Sequence, residues 1–248
     1  MDLKLKMEQE LEQFDSKKFV NEDPVGIVHF MRDMSGATVA DIEICAMWTA
    51  MIAWGQRGQI IDHAHQLMDL CDWKPLEFVK GGDFYDIDDS ETIYRTLKGK
   101  AFKEINTKLR YHYCHYPDIH TMLRQNPSLS NADLMVDLCK IFAPARLGSP
   151  ERNSACKRIN MLLRWMVRKD DVDLGLWQTE NVRPQELYAI MDTHVARHAN
   201  TLGLISYPKE SWKAVLELTH AYRTWDANDP LKYDFVMMLN GMQDGSDF

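Results

Sequence analysis

Along almost the whole chain, apolar positions recur at steps of three and four residues, the spacing of one buried face of a helix. This pattern predicts a leader helix around Leu3 to Phe14 and a second starting at Pro24, where proline's fixed φ suits a first helical turn. "TVADIEICAMWTAMIAWGQR" is apolar on almost every side, the mark of a central helix buried all round. "QIIDHAHQLMDLCD" gives it an amphipathic partner, and "KPLEFVKGG" a brief helix stopped by two glycines. "DFYDIDDSE" reads as an acidic loop, followed by a helical region over roughly Ala101 to Gln125 that Pro117 interrupts.

"SNADLMVDLCKIF" opens on a good N-cap at Ser130 or Asn131. "APARLGSPERNSA" carries turn chemistry at Pro144, Gly148 and Pro150, and "CKRINMLLRWMVRK" is strongly helical. A connection, "DDVDLGLWQTENVRPQEL", leads to three further helices, from Asp192, from about Lys209 and from Pro230. No stretch alternates cleanly as a β-strand, and there is no internal repeat. The expected fold class is all-α.

At 248 residues, 45% hydrophobic and 27% charged, the chain has ample material for one large core. The five scattered cysteines form no CxxC pair or disulfide rhythm, which fits a reducing, cytoplasmic setting. The charged start is no signal peptide, and the longest apolar run, Ile44 to Gly55, falls short of the roughly 20 residues that span a bilayer. No membrane partner is expected. A net charge of -8 argues against indiscriminate coating of nucleic acid but leaves room for a local basic face.

Four stretches could carry chemistry. Arg152, Lys157, Arg158, Arg164, Arg168 and Lys169 follow one another with no acid between the first and the last. They form either a solvated basic helix face or, with "GSPERNSACK" ahead of them, an anion-binding helix entry. Asp192, before "THVARHANTLG", is either an N-cap or a carboxylate displayed at a helix mouth. His194 with His198, and His112, Cys114, His115 and His120 in "HYCHYPDIH", lack the four-ligand spacing of a structural zinc site, so no metal is assigned. "AWGQRG" ends the central helix with Trp54, Gln56 and Arg57, either as a C-cap or as the rim of a substrate cleft. The usual nucleophile and phosphate-loop motifs, GxSxG, GxGxxG, the P-loop and HExxH, are absent.

Together, "CKRINMLLRWMV" and "MDTHVARHANTLGLI" resemble the core of the helix-hairpin-helix DNA glycosylase superfamily, which includes the endonuclease III and 8-oxoguanine glycosylase branches. The whole chain is also similar to an uncharacterised bacterial family of about this length, through "DPVGIVHF", "KRINMLLRWMVR", "DVDLGLW" and "DPLKYDF". The resemblance implies two helical lobes with a cleft between them, approximately residues 40–150 and residues 1–39 plus 151–248, within one compact unit. It implies a Schiff-base lysine at Lys157 and a catalytic aspartate at Asp192. Nucleic-acid contacts would come from Arg152, Ser154, Arg158, His194 and Arg197, and the pocket rim from Trp54, Gln56 and Arg57.

The implied function is binding of damaged duplex DNA, with base excision and abasic-site lyase activity and no cofactor. No iron–sulfur cysteine set follows, unlike endonuclease III. Two departures stand out. "LGSPERNSA" replaces the glycine-rich hairpin, and Lys157 lies 35 residues before Asp192, a wider gap than most of the superfamily shows. Two other readings remain open: a non-catalytic nucleic-acid or nucleotide-binding module on the same scaffold, and a helical protein-interaction protein.

Overall fold

A computed structural model describes residues 2–244. Its N-terminal part holds α1 (Leu3–Glu12), α2 (Ser16–Glu22), α3 (Val25–Asp33), α4 (Val39–Ile52), α5 (Arg57–Asp69) and α6 (Pro75–Gly81). A small antiparallel hairpin, β1 (Thr92–Tyr94) and β2 (Leu97–Lys98), leads into α7 (Gly99–His115), α8 (Ile119–Gln125) and α9 (Asn131–Ile141). After a looped entry come α10 (Lys157–Val167), α11 (Thr193–Thr201), α12 (Trp212–Trp225) and α13 (Tyr233–Asp244). The architecture is all-α apart from the hairpin, whose two strands are too short to show alternation in sequence. Helix α2 also escapes the periodicity: it is seven residues long and buries Phe19 alone, behind an Asp15 N-cap.

The central helix is α4. Thr38 and Asp41 form a reciprocal capping box at its start, which satisfies two first-turn N–H groups. Every residue from Ala40 to Ile52 is buried, so α4 has no solvent face and packs on α3, α5, α6 and α10. Burying a side chain such as Ile44 or Met51 stabilises the fold by about 1.5–3 kcal/mol each. Glu43, in the middle of α4, accepts hydrogen bonds from Tyr113 Oη (3.0 Å), Ile119 N (3.0 Å) and Trp177 Nε1 (2.8 Å). Burial pushes its carboxyl up to about 7 against those three donors.

The helix boundaries follow local chemistry. Gly82, in the left-handed region at φ 89, stops α6, and Pro117 separates α7 from α8. Ser130 is the N-cap of α9, in a second capping box with Asp133. The last long helices begin later than their periodicity predicts. Helix α12 starts at Trp212 behind the Ser211 cap, and a 3-10 turn, Pro230–Lys232, precedes α13.

Two buried clusters hold the chain together. The larger gathers side chains from α2 to α10 and from the loop running to Leu187. The smaller is built from α1, α11, α12 and α13. Helix α13 joins them, giving Phe235 to the first and Val236 and Met237 to the second.

The four stretches that carry the family resemblance meet near this junction. Arg168 makes a two-pronged ion pair with Asp229 at 2.8 Å and also pairs with Asp170 and Asp173. Arg164 pairs with Asp173 at 3.2 Å and lies 4.3 Å from the Phe235 ring centroid. His29 Nε2 lies 2.7 Å from the Val172 carbonyl. The basic helix face expected from sequence is therefore neither solvated nor anion-binding at these positions. The side chains of Arg164 and Arg168 are 5% and 6% exposed, and their counter-charges come from later segments. No described helix is long and apolar enough to cross a membrane.

Candidate functional site

The site lies where α10 and α11 begin. Residues 148–156 enter α10 through consecutive tight turns, with Asn153 at φ 54 and Cys156 at φ 48. Gly148 sits at φ +90, and a Cβ there would lie 2.1 Å from Ser154 Oγ, so no other residue fits without displacing Ser154. Ser154 Oγ accepts the Cys156 N–H at 3.3 Å. Asn153 fastens the loop to the start of α12 by accepting the Trp212 N–H at its carbonyl and the Lys213 N–H at its side chain.

An extended stretch before α11 is tied down on three sides. Asn160 of α10 donates to the carbonyls of Ala155 (3.1 Å) and Ala189 (3.4 Å). Thr219 Oγ1 accepts the Ala189 N–H at 2.9 Å, and the Asp234 carboxyl accepts the Ile190 N–H at 3.2 Å. These bonds carry the backbone across the long connection and deliver Asp192 beside Lys157.

Asp192 then does two things at once. Its Oδ1 accepts the Val195 N–H at 2.9 Å as the N-cap of α11, and its Oδ2 accepts from Lys157 Nζ at 2.9 Å. Burial raises the Asp192 carboxyl, but the Lys157 charge and the Val195 N–H outweigh it and hold the group below its usual value. The Lys157 and Asp192 side chains are 39% and 24% exposed, so the pair is open to a ligand.

A cavity of about 850 Å³ opens over this pair. Of the residues singled out in sequence, Lys157, Asp192, Ser154, Arg158, His194, Trp54 and Arg57 line it. Arg152, Gln56 and Arg197 are exposed and lie off its wall. Arg158 does not point freely outward: it donates to the carbonyls of Met51 (2.6 Å) and Arg146 (3.5 Å), and burial pulls its guanidinium down to about 10.

Three acids on the wall escaped sequence reasoning: Asp23, Glu210 and Asp234. Burial pushes Asp23 up and carries Asp234 to about 7, in both cases against the pull of Arg164. The signal was present in "DPVGIVHF" and "YDFVMML", where an acid falls among positions bound for the core. Among the described residues, no group of three or more His, Cys, Asp or Glu could hold a metal ion. In "HYCHYPDIH", His112 packs edge-on against Tyr113, with burial pushing its imidazole down to about 4, while Cys114 is exposed.

The family model DUF2400, described as a protein of unknown function, matches residues 23–243. The chain belongs to the DUF2400 family. Within the DUF2400 match lie both halves of the site, from Asp23 through Lys157 to Asp192 and Asp234. No curated protein and no solved structure matches the chain.

Proposed function

We propose that the chain is a DNA-binding protein of the helix-hairpin-helix glycosylase type, acting as a base-excision glycosylase with lyase activity. The observation that carries the reading is the 2.9 Å contact of Lys157 Nζ with Asp192 Oδ2, made across 35 residues within the large cavity. An amine held against a carboxylate in a cleft is the minimal equipment for displacing a base through a covalent amine intermediate. The cavity volume lies inside the range of about 300–1,000 Å³ typical of small-ligand sites, enough for one nucleotide turned out of a duplex.

The chemistry follows from the pair. Asp192, a carboxylate at neutral pH, accepts a proton from Lys157 along the hydrogen bond they share. The freed lone pair forms a bond to the sugar C1′ as the C1′–base bond breaks and its electrons leave on the base. The proton held by Asp192 passes to the departing base. As that proton leaves, Asp192 regains the negative charge that stabilises the positive charge developing on the sugar. The C1′–O4′ bond then opens, O4′ takes one of the two protons still on the nitrogen, and a protonated imine joins Lys157 to the strand. The Asp23 and Asp234 carboxyl groups provide hydrogen-bonding partners for the edge of the bound base.

Borohydride reduction on duplexes carrying oxidised bases or abasic sites tests this reading. Wild type and Lys74→Ala, a change at an exposed helix start outside the cavity, should give a covalent adduct, and Lys157→Ala should give none. Binding without trapping over a broad lesion panel would instead make the chain a non-catalytic nucleic-acid module, with Asp192 serving as a cap.

A further inference from the structure

A second cavity, of about 190 Å³, adjoins the first and shares Trp54, Arg146 and Arg158 with it. We infer that this smaller cavity binds a nucleotide phosphate group, with Arg146 and Arg158 as its ligands, beside the nucleotide held in the large cavity. The inference rests on the proposed nucleotide-binding reading of the large cavity.

The charge arrangement carries the argument. The chain has a net charge of -8, yet the lining of the small cavity contains two arginines and no Asp or Glu. Neither guanidinium has a carboxylate partner among the described residues. That contrasts with Arg164 and Arg168, which burial has matched with Asp170, Asp173 and Asp229. Arg158, half-buried without a counter-anion, is the costly one of the two, and an anionic ligand would offset that cost, while Arg146 is exposed and stands ready as a second donor.

The donors are also free in the right number. The two carbonyl contacts of Arg158 orient its fork and leave further N–H groups, since a guanidinium has five. The Arg146 side chain makes no hydrogen bond to any described residue. Its backbone is left-handed at φ 55, a conformation disfavoured outside glycine, and the residue lines both cavities. Two planar forks at one spot suit the tetrahedral oxygens of a phosphate.

The aromatic wall is fixed as well. Arg95 lies 4.8 Å from the Trp54 ring centroid, and Tyr94 Oη donates to the Trp54 carbonyl at 2.7 Å. A Cβ at Gly55 would sit 2.3 Å from an Arg95 nitrogen, so only glycine there lets the guanidinium lie against Trp54. Position 55 therefore keeps Trp54 in place as the partition between the cavities.

The phosphate could be an internal one of a strand or the terminal one of a free nucleotide, and two arms of one experiment separate these sources. In the first, binding at low salt is measured on duplexes with a tetrahydrofuran abasic analogue, replacing one flanking phosphate at a time by neutral methylphosphonate. A strand phosphate predicts one position whose neutralisation weakens wild type by roughly 10- to 100-fold, the range of a hydrogen bond to a charged group. Arg146→Gln should be weakened already and indifferent at that position, with a salt slope reduced by about one; Arg146→Lys should recover the slope.

In the second arm, a deoxynucleoside 5′-monophosphate competes against its nucleoside. An advantage for the monophosphate that Arg146→Gln abolishes, without methylphosphonate sensitivity, assigns the site to a free nucleotide. If Arg146→Gln, folded by circular dichroism, shows wild-type behaviour in both arms, the inference is wrong. Trapping at Lys157 is read separately, so a failed lyase reading and a failed phosphate site are distinguishable.

Discussion

Asp192 is both helix cap and ion-pair partner, and two substitutions separate those roles from catalysis. Asn caps a helix as well as Asp does, so Asp192→Asn keeps the 2.9 Å bond from the Val195 N–H and loses the charge facing Lys157. With side chains 39% and 24% exposed, that ion pair is worth at most about 1 kcal/mol. Asp192→Ala loses the cap too, at about 1 kcal/mol more. Urea unfolding should therefore rank wild type, Asn and Ala within about 2 kcal/mol in total. Single-turnover base release should not follow that ranking. Removing a proton-transferring carboxylate costs about 10²- to 10⁴-fold, so Asn and Ala should be equally and severely slow on the productive lesion. If Asn releases base within a few-fold of wild type while only Ala is impaired, Asp192 is a cap and the catalytic assignment is refuted.

Other perturbations test the surrounding structure. The Asp234 carboxyl titrates near 3.8 when unfolded and about 7 when folded, so the folded state holds the extra proton between those values. Its contribution to stability thus falls as pH rises from about 4 to 7; Asp234→Asn should remove that loss, and urea unfolding at pH 5 and pH 8 should show the variant gaining on wild type at the higher pH. Gly148→Ala should cost about 1–3 kcal/mol, because it forces a side chain into a left-handed position against Ser154, and denaturant midpoints will read the loss. Arg164→Ala leaves Asp173 buried with one of its two arginine partners gone and should destabilise by about 3–5 kcal/mol, so loss of activity there says nothing about catalysis.

Much of the fold was legible because helical periodicity is a local signal. The all-round apolar stretch ending at Ile52 reads directly as the buried α4, and Pro117, Gly82 and Ser130 punctuate the chain where steric and capping rules place them. The short elements were not legible. Seven residues of α2 and five of the hairpin are too few for any period to register. The site divided along the same line. Asp192 was readable as a helix opening and Lys157 as the head of α10, whereas their contact depends on Asn160, Thr219 and Asp234 bonding to the backbone between them. The basic run misled because charge was read along one helix, while Asp173 and Asp229 reach Arg164 and Arg168 from elsewhere in the chain. Arg146 gave no signal in sequence at all, since what distinguishes it is its place on the walls of two adjoining cavities.

The central claim is that Lys157 forms a covalent bond to the sugar. Its most direct test is peptide mapping by mass spectrometry of the wild-type protein after borohydride reduction on a lesion-containing duplex. The account predicts one nucleotide-derived mass addition, on the peptide that contains Lys157. An adduct confined to another lysine, or an unmodified Lys157 in protein shown to have released the base, would contradict it.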